Sequence, residues 1–399
     1  MVLRARAEAQ AIELARFDPL TGFLNRRALE ELAAPAMADW LASGQSVGAL
    51  VIDIDAFKSV NDLFGHSGGD KVLAEIAARI RKAAPSHAHL ARLGGDEFTI
   101  ILPLPHDDAD ALDKLGETLI GFLSEPVQIE AVTAATSSSI GGAIVSDADC
   151  SLETLVRHAD TAMYRAKRQG RCRFCRFDGE MEVAMVRRDL IERELRLAIA
   201  DGSLHPVYEP LIDLATDEPL GYEMLARWHS PVLGIVPPSD FIPVAEEKGL
   251  ISALSDLMFR RAFSDAAQWP AHLSLSINVS PLQLRDPWFA QKLLKLLAET
   301  GFPAQRLILE LTESAIVDNL PLAQAVFTSL RNQGIRMALD DFGTGYSSIA
   351  SLRSLPFDSV KIDREFVARM SEHESADSVA EAVLPLGKSP GLPRGGEGI

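Results

Sequence analysis

Two rhythms of apolar and polar positions divide the chain. Between residues 47 and 177, short apolar runs alternate with segments of helical period. "VGALVIDIDAF" is a nearly continuous apolar run that predicts a buried strand carrying Asp53 and Asp55. "GDKVLAEIAARIRKAA" repeats its apolar residues every three to four positions and predicts a helix. "HLARLGGDEFTIILP" reads as two strands around a Gly-Gly turn, a hairpin. "SSSIGGAIV" is a further strand, and "LETLVRHADTAMYRAKRQG" a helix that stops at Gly170. This half is a mixed α/β domain.

The second half keeps another beat. Apolar strands recur, each ending in a polar or acidic residue, with helices between. They are "LGYEML" with Glu223, "LSLSINVS" with Asn278, "LILELTES" with Glu310, "RMALDDFG" with Asp340 and Asp341, and "SVKID" with Lys361. "PWFAQKLLKLLAETG" and "LPLAQAVFTSLRNQG" are intervening helices. Strand–helix alternation predicts a mostly parallel sheet, and about eight such units close a barrel with its chemistry where the strands end. A charged amphipathic segment, "GEMEVAMVRRDLIERELRLAIADG", joins the halves. We expect a connector helix at 1–12, a first domain at 13–177, a linker helix at 178–186 and a second domain at 187–399. The Ala-rich, charged start "MVLRARAEAQAIELARF" reads as a helix continuing from something upstream and as a dimerising element.

Bulk numbers narrow the chemistry. The 399 residues are 47% apolar and 24% charged, enough for two cores. A net charge of −17 without a basic stripe argues against nucleic acid or an anionic membrane surface as partner. An anionic substrate would need local cations or metal ions. Three cysteines make no disulfide framework, and the single "CRFC" has no second pair or nearby histidine to hold zinc. No apolar run reaches the roughly 18 residues of a membrane span, and no signal-peptide core is present. We expect a cytoplasmic protein, or the cytoplasmic part of a larger sensor.

In the first half, Asp53 and Asp55 share a strand face, and Asp96 and Glu97 sit at a glycine-rich hairpin tip. Acids from adjacent strands suit Mg²⁺ bridging phosphates, with Lys58, Lys167 and Arg171 as counter-charges. Two acidic surface loops would give the same spacing. "RLGGDEF" resembles the signature of the GGDEF family, the diguanylate cyclases. "DPLTGFLNRRAL" (18–29), "DIDAFKSVNDLFGHSGGD" (53–70) and "ADTAMYRAKRQGR" (159–171) resemble further family motifs in the expected order. The resemblance implies a nucleotidyl-cyclase-like α/β fold with a central, mostly antiparallel sheet, and condensation of two GTP into cyclic di-GMP. It implies that Asp53 and Asp96 hold Mg²⁺ and that Glu97 is a further ligand or helps deprotonate the 3′-hydroxyl. Asn61 and Asp70 would read guanine, and Lys58, Lys167 and Arg171 would serve phosphate. Two such domains must face each other, which implies a homodimer. Pro85 and Ala88 stand where the family often carries the Arg-x-x-Asp of an inhibitory product site. Ala56 stands where bulkier residues are common.

In the second half, the strand-end donors are all oxygens, which fits Mg²⁺ or Mn²⁺ rather than Zn²⁺. Any one of them is equally a helix N-cap following a strand. "YEMLARW" (222–228), "INVSPLQL" (277–284), "LELTES" (309–314), "LDDFGTGYSSIASL" (339–352) and "VKIDREFV" (360–367) resemble the EAL phosphodiesterases, which hydrolyse cyclic di-GMP to pGpG on a TIM-like barrel. The resemblance implies that Glu223, Asn278, Glu310, Asp340 and Asp341 are metal ligands. Lys361 would orient or deprotonate the attacking water, Arg227 would contact the substrate phosphate, and Glu313 would brace the "DDFGTGYSS" loop. Met224 replaces an alanine of the name motif, and Glu209 replaces a usual glutamine. The ending "GLPRGGEGI" resembles an interrupted strand that places Glu397 at a further ligand position, and the barrel's last strand and helix are missing. Together the resemblances imply a bifunctional cyclic di-GMP enzyme, with hydrolysis impaired by truncation. The alternative is a non-catalytic sensor in which GTP or cyclic di-GMP bound by one domain regulates the other.

Overall fold

The computed structural model describes residues 16–105, 108–129, 132–312, 320–342 and 357–362. The connector helix, Glu313 and Glu397 lie outside these residues, as does the side chain of Asp341. The chain divides into two compact units, Met1–Arg187 and Arg188–Ile399.

The first unit is built on a five-stranded sheet in the order β2-β3-β1-β6-β7. Its strands are β1 (Ser46–Ile54), β2 (His89–Gly94), β3 (Glu97–Leu104), β6 (Ser138–Val145) and β7 (Arg173–Arg176). All pairings are antiparallel except β6 with β7. A small hairpin, β4 (Val127–Ile129) and β5 (Val132–Ala134), stands apart. All nine residues of β1 are buried, which is why its sequence shows no alternation. Its even-numbered residues Leu50, Ile52 and Ile54 pack against α2 (Phe57–Ala83) and α3 (Ala109–Leu123). Its odd-numbered residues Val47, Ala49 and Val51 pack against α1 (Arg26–Ala42) and α4 (Leu152–Arg168). Asp53 continues the odd-numbered row and so belongs to the α4 side. α2 is two helical segments joined at Gly65, whose φ of 69° is left-handed.

α5 (Gly179–Asp201) runs across the division between the units. Asp178, just before it, and Glu182, in its first turn, pair with Arg165 and Arg157 of α4. Its later residues Ile191, Leu195 and Ala198 belong to the second core.

The second unit carries a sheet in the order β10-β9-β11-β12-β13-β14, with β8 also on β9. These strands are β8 (His205–Asp213), β9 (Glu218–Ser230), β10 (Gly234–Val236), β11 (Ser274–Asn278), β12 (Leu307–Thr312), β13 (Arg336–Phe342) and β14 (Ser359–Ile362). β9 and β11 to β14 are parallel neighbours; β8 and β10 are antiparallel to β9. The helices are α6 (Pro238–Glu247), α7 (Ile251–Ala266), α8 (Pro281–Leu284), α9 (Phe289–Thr300) and α10 (Leu320–Arg331). The strand faces divide cleanly. Met224, Trp228, Leu275, Ile277, Leu309, Leu311, Met337 and Leu339 join the helix-covered core. Glu223, Asn278, Glu310, Asp340 and Lys361 occupy the alternate, inner positions. The described strands form an open, incomplete TIM-like (β/α) barrel with all five polar residues on its inner face. No described helix is long and apolar enough to cross a membrane.

Candidate functional site

In the first unit, antiparallel register pairs Asp53 of β1 directly with Glu97 of β3. The two-residue turn Gly95–Asp96 closes the hairpin, with Gly95 at φ 54°. Lys167 of α4 reaches across so that its Nζ lies 2.7 Å from Asp53 Oδ2. That reach depends on Gly141 of β6: a Cβ there would lie 2.0 Å from the Ala159 carbonyl oxygen and the Met163 amide nitrogen. The helix therefore lies closer to the sheet than any side chain would allow.

Burial pushes the Asp53 carboxyl above the usual range, the charges of Asp96 and Asp55 add to this, and Lys167 opposes it. Glu97 is raised likewise, by burial and by the neighbouring charges of Asp160, Asp53 and Asp96. Asp160 is a fourth acid at this site, on the same α4 as Lys167, and the sequence reading missed it. Its carboxyl is pushed up by desolvation against the pull of Lys167. Asp55 plays a different part: it accepts hydrogen bonds from Ser137 Oγ (2.8 Å), Ser139 Oγ (2.7 Å) and the Cys172 amide (3.2 Å). It ties β1 to the segment that follows α4.

The turn also has an anchor that sequence reasoning left unassigned. Arg92 donates to the Gly95 carbonyl through Nε (2.9 Å) and Nη2 (2.6 Å), and its Nη1 meets both oxygens of Asp18 at 3.1 Å. Asp18 also accepts from the Thr21 amide and hydroxyl. The opening motif thus braces the signature turn. Burial works to raise the Asp18 carboxyl, but the Thr21 hydrogen bonds and Arg92 bring it below the usual range.

Asn61 and Asp70 lie on the two segments of α2. The break at Gly65 folds Asn61 beside Gly69, where a Cβ would lie 2.1 Å from Asn61 Oδ1. Lys58 and Arg171 are exposed. Pro85 and Ala88 form a turn closed by an amide-to-carbonyl bond of 3.0 Å. Ala56 takes a left-handed conformation (φ 54°) just before α2.

In the second unit, the inner-face acids meet a cation. Lys361 Nζ lies 2.8 Å from Glu223 Oε2, 2.9 Å from Glu310 Oε2 and 3.9 Å from Asp340 Oδ1. Asn278 Nδ2 donates to the other Glu223 oxygen at 2.7 Å. Burial raises the Glu310 carboxyl, with Glu223 and Asp340 adding repulsion and Lys361 opposing. Burial acts to lower the Lys361 ammonium, and the charges of Glu310, Asp340 and Glu223 more than reverse it. Arg227 lies two pairs along the inner face of β9 from Glu223, its Nη1 on the Ala226 carbonyl. Glu209 stands opposite Glu223 in the β8–β9 register. Ser280 and Gln283 form a reciprocal capping box, and Ser280 Oγ also donates to Glu246, which fixes the chain just beyond Asn278.

No three His, Cys, Asp or Glu side chains among the described residues are arranged to hold a metal ion alone. In the first unit a lysine ammonium lies within 3 Å of Asp53, and in the second one lies within 3 Å of Glu223 and Glu310. An all-oxygen donor set already gathered on a cation has the chemistry that suits Mg²⁺ or Mn²⁺.

The diguanylate cyclase, GGDEF domain family matches residues 15–173, and the EAL domain family matches residues 192–399, more than half of the chain. The chain is a tandem GGDEF–EAL protein. An uncharacterized signaling protein of Caulobacter vibrioides is 41% identical to it, over 99% of this chain and 49% of its own length. The bifunctional diguanylate cyclase/cyclic di-GMP phosphodiesterase MucR of Pseudomonas aeruginosa is 32% identical, over 99% of this chain and 58% of its own. This tandem chain spans about half the length of these relatives. The S helix–GGDEF–EAL structure of Vibrio cholerae LapD, bound to cyclic di-GMP, matches with a TM-score of 0.62 at 17% identity, over 96% of this chain and 91% of that one. The two GGDEF–EAL chains share their fold.

Proposed function

We propose that this chain turns over cyclic di-GMP, condensing two GTP in its GGDEF domain and hydrolysing the product to pGpG in its EAL domain. The observation that carries the reading is the meeting of Glu223, Glu310 and Asp340 around Lys361 on the inner face of the parallel strands.

In the GGDEF domain, Asp53, Asp96 and Glu97 would hold Mg²⁺ at the triphosphate, and Lys167, Arg171 and Lys58 would balance its charge. Asn61 and Asp70 would read the guanine edge, since a carboxylate accepts from two guanine donors that adenine lacks. Glu97, whose carboxyl is raised by burial as those of Asp53 and Asp160 are, would be a further metal ligand or help take the 3′-hydroxyl proton. Each domain binds one GTP, so the reaction joins two chains in a homodimer. With Pro85 and Ala88 at the positions of the inhibitory pair, the product does not inhibit through that site.

In the EAL domain, Glu223, Asn278, Glu310, Asp340 and Asp341 would hold Mg²⁺ or Mn²⁺. A divalent metal supplies charge neutralisation and water activation there. Lys361, gathered with the Glu223 and Glu310 carboxylates, would orient or deprotonate the attacking water. Arg227 meets the substrate phosphate.

A second reading rests on Glu209. It sets a carboxylate opposite Glu223, and like charges directly opposed across strands are unfavourable. A barrel so charged would turn over cyclic di-GMP poorly, and the chain would then act as a non-catalytic sensor in which GTP or cyclic di-GMP bound by one domain regulates the other.

Incubation of the full chain with GTP and Mg²⁺, and separately with cyclic di-GMP and Mn²⁺, tests both readings. The enzyme reading expects cyclic di-GMP in the first and pGpG in the second, lost respectively in Glu97→Gln and Lys361→Met. Nucleotide binding without product in either mixture establishes the sensor instead.

A further inference from the structure

β11 presents Ser274, Ser276 and Asn278 on the inner barrel face, alternating with the core residues Leu275 and Ile277. The two serines differ. Ser274 Oγ donates to the Leu220 carbonyl at 3.0 Å. Ser276 is 1% exposed, and its Oγ has no hydrogen-bond partner among the described residues. A buried hydroxyl without a partner is unfavourable, so its presence asks for a function.

Its surroundings name one. Parallel register sets Ser276 beside Glu223 of β9 on one side and beside Ile308 of β12 on the other. Ile308 offers no polar atom. One step along β11 towards the strand end, Asn278 already holds Glu223 by a hydrogen bond. Neighbouring strands lie about 4.8 Å apart, so a serine hydroxyl and a glutamate on facing positions are within reach of one another. Each carboxylate oxygen has two acceptor directions, which leaves Glu223 able to accept from Ser276 as well as from Asn278 and Lys361.

We propose that Ser276 is a positioning residue of the hydrolytic site, its hydroxyl donating a hydrogen bond to Glu223 when that carboxylate turns from Lys361 to a divalent cation. It fixes the angle at which the carboxylate presents its oxygens, as the outer partners of metal-binding groups do. The proposal rests on the reading of Glu223 and Glu310 as metal-holding groups.

The test is Mn²⁺ binding to the full chain, followed by electron paramagnetic resonance, in a background of Asp53→Asn and Glu97→Gln that disables the first domain's acids. Ser276→Ala is expected to weaken Mn²⁺ binding about tenfold. The melting temperature of the metal-free protein stays level or rises, because the unpartnered hydroxyl is gone. Ser276→Thr, which keeps a hydroxyl, is expected to retain binding. Unchanged Mn²⁺ affinity in Ser276→Ala overturns the proposal. So does a fall in the metal-free melting temperature that accompanies the loss, since that marks a packing role. Glu223→Gln separates the layers: if it too leaves Mn²⁺ binding intact, the metal reading itself has failed, whereas loss there with none in Ser276→Ala removes the serine alone.

Discussion

The GGDEF and EAL sites use the same materials in opposite settings. Each gathers carboxylates on a lysine. In the GGDEF domain they come from paired antiparallel strands and a hairpin tip, with one ammonium on Asp53 and Glu97 in register beside it. In the EAL domain they come from the inner face of parallel strands, with one ammonium shared by Glu223, Glu310 and Asp340. On the proposed reading, the acids at the hairpin tip would need a second copy to complete the reaction, whereas those on the barrel's inner face would converge on one substrate. Secondary structure would then decide whether the chemistry is shared or solitary.

The sharpest break in the comparison is Glu97→Gln. We expect synthesis from GTP to fall roughly 10²–10⁴-fold, the range for loss of a proton-transfer group, while hydrolysis is untouched. Lys361→Met should do the converse, lowering pGpG release roughly 10²–10³-fold, the scale for removing one preorganised charge donor. A product assay on each variant checks both, and loss of both activities in either variant breaks the independence of the sites.

Support of the turn comes next. Arg92→Ala removes the guanidinium from the Gly95 carbonyl and from Asp18, which keeps only Thr21, and should cost the GGDEF domain about 1–3 kcal/mol, read by chemical denaturation. The EAL transition should not move. A pH series extends this. Asp18 is held below its ordinary 3.8, so its contribution is present above that value and lost as pH falls through the depressed one. Asp18→Asn should flatten the acid limb of the GGDEF melting curve alone. The smallest effect is Glu209→Gln. Removing the charge opposite Glu223 should tighten cyclic di-GMP binding several-fold, in line with about 0.2–1 kcal/mol for an opposed strand pair. Calorimetry measures it.

Much of this was legible in the chain. Apolar runs ending in a polar or acidic residue marked β1, β11, β12 and β13, because burial on both faces leaves the strands mostly apolar up to their ends. The Gly-Gly turn marked the hairpin. Other features were hidden for physical reasons. β8 escaped notice because Pro206, Glu209 and Pro210 interrupt its alternation, which an edge-like strand tolerates. The helical period is legible only from Gly69, because the glycine-rich "FGHSGGD" breaks the pattern, so the earlier segment and its joint at Gly65 show only in the backbone. Asp18 and Arg92 are distant in sequence, and their hydrogen bonds carry no local signature. Asp160 does not stand out within its motif, because its interaction with Glu97 and Lys167 arises only in the fold. The Ser276 hydroxyl carried no signal at all, since serine in a strand is ordinary until its partners are counted.

Gly141 carries a wider consequence. Lys167 meets Asp53 because a helix rests on bare backbone, with no room for even a methyl group between. The separation of two opposite charges is thereby gauged by a missing carbon rather than by any attraction between them. A single added methyl at that strand position would act as a shim, lifting the ammonium from the acid without altering either charged residue. Such a site is tuned by steric spacing, with both charged residues left unaltered.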